Sequence, residues 1–378
     1  MINESRELIS TRSSAGEEEI FQMREKEWPF VSLIILNYNG KEWLQECFSS
    51  LSKMDYLRER FEVILGDNAS SDDSIAWTKE KFPWVKVMPH DANYGFCKGN
   101  NLCAKQAKGE YLVFLNNDTF VTRDWLKNLV HGVQSEAGTA VACGKMLLPH
   151  IAEGKAINAA GGLFLSSGSC MDVGWMEKDG SAYDVQGYTG YACGAGLLVQ
   201  KRFFLETGGF DEYYFFFAED ADLGFRAWLY GHKVLYVPSA VMYHYCGGTR
   251  LKDAKISSLS IFYLTRNALY FIFKNFELIT AFKAFFLWHI KALLRVLYCL
   301  FHANLKIPMA VCKGCFDFWG KLPLALRARR ANQKNRRISD RFLYQQHLLI
   351  GFLEEMKFQK KRLKNDAALI SGEFIYEK

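Results

Sequence analysis

Short apolar runs that each stop at a polar cluster dominate the first part of the chain. VSLIIL (31–36) stops at Asn37-Tyr38-Asn39-Gly40, FEVIL (61–65) at Gly66-Asp67-Asn68, and YLVFL (111–115) at Asn116-Asn117-Asp118. Brief apolar runs bounded by turn formers predict strands buried on both faces. Helices are expected over 41–53, from after Ser74 to about Phe82, and over about 97–108, with a further strand over 84–88. Residues 155–200 are Gly-rich and read as loops and short strands, 219–230 as a helix, and 233–237 as one more strand. Strand–helix alternation predicts an α/β fold whose mostly parallel sheet is covered on both faces. Such sheets bind ligands at the carboxyl ends of their strands, where these polar clusters fall.

The texture changes twice. Residues 1–28 are polar and read as a tail, 29–250 as the α/β body, and 251–378 as a helical, aromatic and basic extension. The net charge of +6 conceals this division: 251–378 hold 23 Lys and Arg against 9 Asp and Glu, whereas 1–250 hold 24 against 32. Residues 278–303 are the most apolar stretch, but Lys283, His289, Lys291 and Arg295 interrupt it. A spanning helix is therefore not expected. The interleaving suits an amphipathic helix on an anionic membrane surface. The alternatives are helices that pack back on the body or form a homodimer. No nucleic-acid module accompanies the basic residues, so nucleic acid is not an expected partner. The first residues lack an apolar signal core, and the ten cysteines have no framework spacing, which points to reduced thiols and a cytoplasmic setting.

The acids at the strand ends carry the chemistry. Asp67, Asp118 and the Glu219-Asp220-x-Asp222 cluster could converge on one crevice and hold a hard cation against a diphosphate. Each taken alone also reads as an Asx-turn or as a complement to a helix N-terminus.

Taken together, the segments VSLIILNYNG (31–40), EVILGDNASSDDS (62–74), NYGFCKGNN (93–101), FLNNDTFV (114–121), GGFDE (208–212), EDADLGFRA (219–227) and GHKVLYVPSAVMYH (231–244) resemble the family 2 glycosyltransferases, in particular their rhamnosyltransferase-like bacterial branch. The resemblance covers about 31–250, with a weaker echo in YLTRNALYFIFKNF (263–276). It implies a GT-A nucleotide-diphospho-sugar transferase fold, Rossmann-like, with a C-terminal helical extension. It also implies an inverting transfer from a nucleoside-diphosphate sugar to a saccharide acceptor, expected to be linked to polyprenyl diphosphate at the inner face of the plasma membrane.

By the same resemblance, Asp67 contacts the nucleotide base. Asn37, Asn39, Asn93, Gly95, Phe96, Asn100 and Asn117 belong to the donor site. Asn116-Asn117-Asp118 stands where the family has its metal-binding Asp-x-Asp, so one carboxylate is replaced by an amide; Asp118, Asn116 and His244 are then the ligands of Mg²⁺ or Mn²⁺. Asp220 is the general base, and Glu219 orients it or an acceptor hydroxyl. Two other classes fit less well. A sugar nucleotidyltransferase would need a Gly-rich basic loop after the first strand, which Asn37–Gly40 does not supply. A non-catalytic assembly partner would lack the base or the metal acid, and both Asp118 and Asp220 are present.

Overall fold

The computed structural model describes residues 28–246, 258–303 and 305–371. The polar tail, apart from Trp28, and the boundary expected near residue 250 lie outside the described residues. The chain begins with β1 (Val31–Asn37), α1 (Lys41–Leu51), β2 (Phe61–Asp67), α2 (Ser74–Lys81), β3 (Lys86–Pro89), α3 (Gly95–Gln106) and β4 (Tyr111–Asn116). Then come β5 (Thr119–Val121), α4 (Trp125–Ser135), β6 (Thr139–Leu148), β7 (Ala156–Ala159), β8 (Gly162–Leu165), β9 (Cys170–Asp172), β10 (Gly187–Tyr188) and β11 (Gly196–Gln200). After α5 (Lys201–Glu206), α6 (Glu219–Leu229) and β12 (Lys233–His244), the tail folds as α7 (Ser258–Asn275), α8 (Leu278–Phe301), α9 (Lys306–Gly320), α10 (Leu322–Asn335), α11 (Asp340–Gln345), β13 (Leu349–Ile350) and α12 (Phe352–Ser371).

The main sheet runs β10-β12-β6-β11-β4-β1-β2-β3. Strands β3, β2, β1 and β4 are parallel, as are β6 and β12, and β11 lies antiparallel between these two blocks. Alternation along β1 divides its side chains between two layers. Leu33 and Ile35 pack with Leu44, Phe48 and Trp125 of α1 and α4, while Ile34 packs with Cys103 of α3 and Phe204 of α5. The same alternation brings Asn37 and Asp67 side by side at the carboxyl ends of β1 and β2.

Two elements differ from the sequence reading. Strand β12 does not stop at Val237 but continues through Pro238 to His244, its register with β6 shifting between Val237 and Val241. That irregularity accommodates a proline inside a paired strand and carries His244 to the strand end beside Asp118. The tail is also less separate than its composition suggests. β13 pairs with β8, and Leu269, Tyr270 and Phe271 of α7 share a core with Phe225 of α6. Helix α8 is largely exposed: of its 24 residues, Ala284, Trp288 and Cys299 are buried. Its best 18-residue window has a mean hydropathy of 1.6, so by length and composition alone it is apolar enough to cross a membrane.

Candidate active site

A cavity of about 780 Å³ opens at the carboxyl ends of β1 and β4. Its donor-side wall includes Asn37 and Asn39 after β1, Asn93, Gly95 and Phe96 at the start of α3, and Asn117 after β4. Asn117 Nδ2 donates to Asn37 Oδ1 (2.8 Å), and Asn39 Oδ1 accepts from the Ser71 amide (2.7 Å). Gly40 is required by this packing, because a Cβ there would lie 2.2 Å from Asn117 Nδ2. Asn93 Oδ1 accepts from the Gly95 amide (3.0 Å), and Gly95 sits at φ +71°, which glycine adopts without strain. Asn68, which the sequence reading passed over, also lines the cavity and donates Nδ2 to the Gly95 carbonyl (3.1 Å).

Two expected contacts do not reach the wall. Asp67 is fully buried and accepts from Asn37 Nδ2 (3.0 Å), the Ser70 hydroxyl (2.8 Å) and the Ser70 amide (2.8 Å). It sits one layer behind the surface and shapes Asn37 and Ser70. Asn100 is likewise buried, with Nδ2 donating to the Phe96 carbonyl (3.0 Å) within α3. A strand-end carboxylate whose neighbours already supply hydrogens turns inward to satisfy them.

Asn116, Asp118 and His244 meet at the second part of the site. His244 Nε2 lies 3.2 Å from Asp118 Oδ1 and 3.4 Å from Asn116 Nδ2. On its other side, Nδ1 lies 2.9 Å from Asn158 Oδ1, which orients the ring. Burial opposes charging of His244, but the Cys246 sulfur and the Asp118 carboxylate prevail and raise its pKa to about 10. Among the described residues there is no group of three His, Cys, Asp or Glu arranged to hold a metal. What converges is one carboxylate, one imidazole and one amide. Such a set suits a hard cation that takes its remaining ligands from phosphate oxygens.

The third part is the start of α6. Asp220 Oδ2 accepts from the Gly194 amide (2.9 Å), and Asp220 Oδ1 from the Ala221 amide (2.7 Å). Burial raises the Asp220 pKa to about 6; the Gly194 amide works against the shift and the Asp172 carboxylate adds to it. Glu219 is 7% exposed and its Oε2 has no hydrogen-bond partner, and burial followed by the Asp220 charge pushes its carboxyl well above the usual range. Asp222 faces away from the cavity. Burial alone would raise its pKa, yet Lys274 and Arg226 hold it down at about 2.

The segment before α6 is strained, with Phe215, Phe217 and Ala218 at φ +59°, +70° and +68°. For non-glycine residues this costs roughly 1–3 kcal/mol each and persists only where surroundings enforce it. The enforcement comes from α7. Asn267 Nδ2 donates to the carbonyls of Phe216 and Phe217 (both 2.8 Å), and an Arg266 NH2 group donates to that of Tyr214 (2.8 Å). The Phe96 amide donates to the Phe215 carbonyl (3.0 Å), which ties the donor-side loop to the segment carrying Asp220. Both clamping residues lie within YLTRNALYFIFKNF.

Residues 32–148 match the family model described as glycosyl transferase family 2, and 111–302, about half of the chain, match that of glycosyl transferase family group 2. The chain is 29% identical over 235 residues to the O-antigen biosynthesis protein RfbC of Myxococcus xanthus, which covers 60% of this chain and 18% of that protein. It is 26% identical over 241 residues to an N-acetylglucosaminyl-diphospho-decaprenol L-rhamnosyltransferase of Mycobacterium tuberculosis, covering 56% of this chain and 75% of that protein. The chain thus spans only a small part of the first relative. A crystal structure of GalNAc-T7 with UDP, GalNAc and Mn²⁺ superposes with a TM-score of 0.51 at 20% identity, covering 64% of this chain and 47% of that one. The fold is GT-A, and the chain belongs to the family 2 glycosyltransferases.

Proposed function

We propose that the protein is a metal-dependent inverting glycosyltransferase that moves a sugar, with rhamnose the first candidate, from a nucleoside diphosphate to a saccharide acceptor on polyprenyl diphosphate, in building a bacterial surface polysaccharide. The observation that carries this reading is one cavity bordered by both the Asp118–His244 pair and the Asp220 carboxylate.

Asn37, Asn39, Asn68 and Asn117 form the amide-rich floor that holds the nucleoside, with Asp67 positioning Asn37 from behind. The start of α3, with the Gly95 turn, presents backbone N–H groups to phosphate. Asp118, Asn116 and His244 are the ligands of Mg²⁺ or Mn²⁺, which when bound supplies positive charge against the departing diphosphate. Asp220 takes the proton of the acceptor hydroxyl as the oxygen forms its bond to the anomeric carbon. The bond from that carbon to the diphosphate breaks on the opposite face, and configuration inverts. A pKa near 6 leaves Asp220 ionised at neutral pH while making it a stronger base than an ordinary aspartate. Glu219, whose carboxyl burial and the Asp220 charge push well above the usual range and whose Oε2 is unpartnered, is placed to hydrogen-bond an acceptor hydroxyl.

The α8 surface fits work at the inner face of a membrane. Ile279, Phe282, Phe286, Ile290, Leu293, Leu297 and Phe301 are exposed at helical spacing along one face, and Lys283 and Arg295 are exposed on the same helix.

The test is a donor screen with UDP-, dTDP- and GDP-sugars in Mg²⁺ or Mn²⁺, scoring nucleoside-diphosphate release and the anomeric configuration of the product by NMR. Asp220→Asn should lower transfer by about 10²–10⁴-fold while nucleotide binding persists. Retained configuration, or pyrophosphate as the released product, overturns the reading.

A further inference from the structure

Asp172 is a carboxylate of the cavity wall that neither the donor floor nor the cation site uses. It closes β9, whose partner β8 is paired in turn with β13 of the tail. Just past β8, the Ser167 and Ser166 hydroxyls donate to the fully buried Glu355 of α12 (2.6 and 3.2 Å). A buried carboxylate so held resists displacement, which would strand its charge, so this small sheet is a fixed frame. Asp172 has an anchor of its own in Tyr191, a buried residue whose phenol donates to Asp172 Oδ1 (2.9 Å). The Tyr191 ring can lie across β8 because residue 162 is glycine: a Cβ there would come within 2.1 Å of it. Among the described residues Asp172 makes no other side-chain hydrogen bond and no ion pair, so Oδ2 keeps its acceptor capacity. Arg362 of α12 borders the same wall, with its guanidinium 5.7 Å from the Trp175 ring centroid.

Asp172 shares its wall with Gly194, Glu219 and Asp220, and it lies close enough to Asp220 for its charge to act there. Glu219 adds an oxygen, Oε2, that is buried without a hydrogen-bond partner. A buried acceptor left without a donor is a cost that a bound ligand can remove. Three kinds of ligand group could meet this wall. For a cation, the three acids do not converge into a group able to hold one. An anion meets the charges of Asp172 and Asp220. A hydroxyl donates to both at no such cost. The half-buried rings of Phe216 and Phe217 lie in the same cavity lining. Aromatic surface with a few convergent polar groups is the usual lining of a small-molecule site, and here it matches the apolar ring face and hydroxyl edge of a sugar. We propose, resting on the glycosyltransferase reading, that Asp172 is a specificity-determining residue: it accepts a hydrogen bond from a hydroxyl of the acceptor sugar, next to the hydroxyl that reacts at Asp220, and its charge selects an uncharged sugar there.

Binding measurements on the full chain with excess Mg²⁺ decide it. Calorimetry with UDP, dTDP and GDP first tests the donor reading; if none of the three binds, that reading falls and this proposal with it. Protein saturated with the nucleotide that binds is then titrated with nitrophenyl glycosides of glucose, galactose, N-acetylglucosamine, mannose and rhamnose, and with nitrophenyl glucuronide, using saturation-transfer NMR. In the wild type at least one neutral glycoside should bind about tenfold more tightly than the glucuronide, which brings a like charge to Asp172. Asp172→Asn keeps an acceptor for Tyr191 but removes the charge. It should weaken that neutral glycoside about tenfold and narrow the gap to the glucuronide, whereas general damage to the cavity would weaken both and leave the gap. If Asp172→Asn fails to fold, Tyr191→Phe decides: the charge stays but loses its anchor, so the neutral glycoside should weaken by a smaller factor with the glucuronide still behind it. Any of three results overturns the proposal and leaves the donor reading standing. They are a nucleotide-bound protein that takes no neutral glycoside, a glucuronide bound as tightly as the neutral sugars, and unchanged glycoside affinities in the deciding variant at the wild-type melting temperature.

Discussion

Helices α7 and α8 follow one another in the same basic, aromatic tail, yet they do opposite things. In α7 the charged residues face inward. Lys274 Nζ lies 2.6 Å from Asp211 Oδ2 and 2.8 Å from Asp222 Oδ2, and Arg266 and Asn267 are buried against the strained segment before α6. In α8 the apolar residues face outward, with Phe282 66% and Phe301 88% exposed. Composition alone gives the two the same description. The difference lies in what each helix was given to pair with: the body offers α7 buried acids and carbonyls, whereas α8 pairs through Lys291 with Glu355 of α12 and with the Ser167 hydroxyl. The basic character of the tail is thus partly internal wiring of the catalytic centre and only partly a surface for anions.

The sharpest way to break this contrast is to remove a cation from α7. Lys274→Met should destabilise the fold by about 3–5 kcal/mol, because Asp222 and Asp211 stay buried with less compensation. Urea unfolding measures it. A loss below about 0.5 kcal/mol would mean that α7 is no more integral than α8.

Next in size is the acid that α7 leaves uncompensated. Asp220 has a folded pKa of about 6 against a model value of 3.8. With the folded pKa raised, its contribution to stability is fully present below about pH 4 and is lost as pH rises through 6. At pH 7 this burial costs up to about 3 kcal/mol, so Asp220→Asn should be more stable than wild type at neutral pH while failing to transfer. Asp222 has the opposite sign: its pKa of about 2 stabilises above pH 4 and is lost as pH falls through 2. Melting temperatures of wild type and Asp220→Asn should therefore converge between pH 7 and 4. Parallel curves would show that the two carboxylates are not split in this way.

Asn267→Ala probes the clamp itself. Releasing the carbonyls of Phe216 and Phe217 lets the strained segment relax and shifts Asp220, so kcat should fall about 10- to 100-fold with the nucleotide Kd little changed. An equal loss in nucleotide binding would show that Asn267 supports the site only by supporting the fold.

How much of this was legible beforehand follows from distance along the chain. Strand ends announce themselves locally: VSLIIL before NYNG needs only neighbours to be read, so Asn37, Asn117, Asp118 and Asp220 all reach the cavity as expected. Side chains that turn inward are harder to foresee. Asp67 and Asn100 sit in motifs of the same kind, and only the hydrogens that Ser70 and Asn37 offer to Asp67, and the Phe96 carbonyl that accepts from Asn100, decide their direction. Strand β6, buried along its whole length, is not legible in the same way, because Gly144 and Lys145 break its apolar run and no polar cluster marks its end. Arg362, Asn158 and the Asn267 clamp depend on contacts between segments dozens to hundreds of residues apart, for which a single sequence carries no signal.

The smallest effect on the fold tests α8. Phe282→Ser, Phe286→Ser and Leu293→Ser together remove exposed side chains that touch little, so stability should change by less than about 0.5 kcal/mol per site. The same triple variant should lose flotation with anionic vesicles at low salt, because each buried large apolar side chain contributes about 1.5–3 kcal/mol to insertion. Lys283→Glu with Arg295→Glu should weaken flotation less, and only at low salt, since charges at an interface are screened within about 10 Å at 0.1 M. The order of these two losses is informative. If the charge reversals matter more than the serines, α8 lies above the headgroups and its apolar stripe is covered by something other than lipid, such as a second copy of the chain, which sedimentation would reveal as a dimer broken by the same serines. If the serines matter more, the stripe enters the bilayer, and the ion pair between Lys291 and the buried Glu355 then links the membrane-facing helix directly to α12.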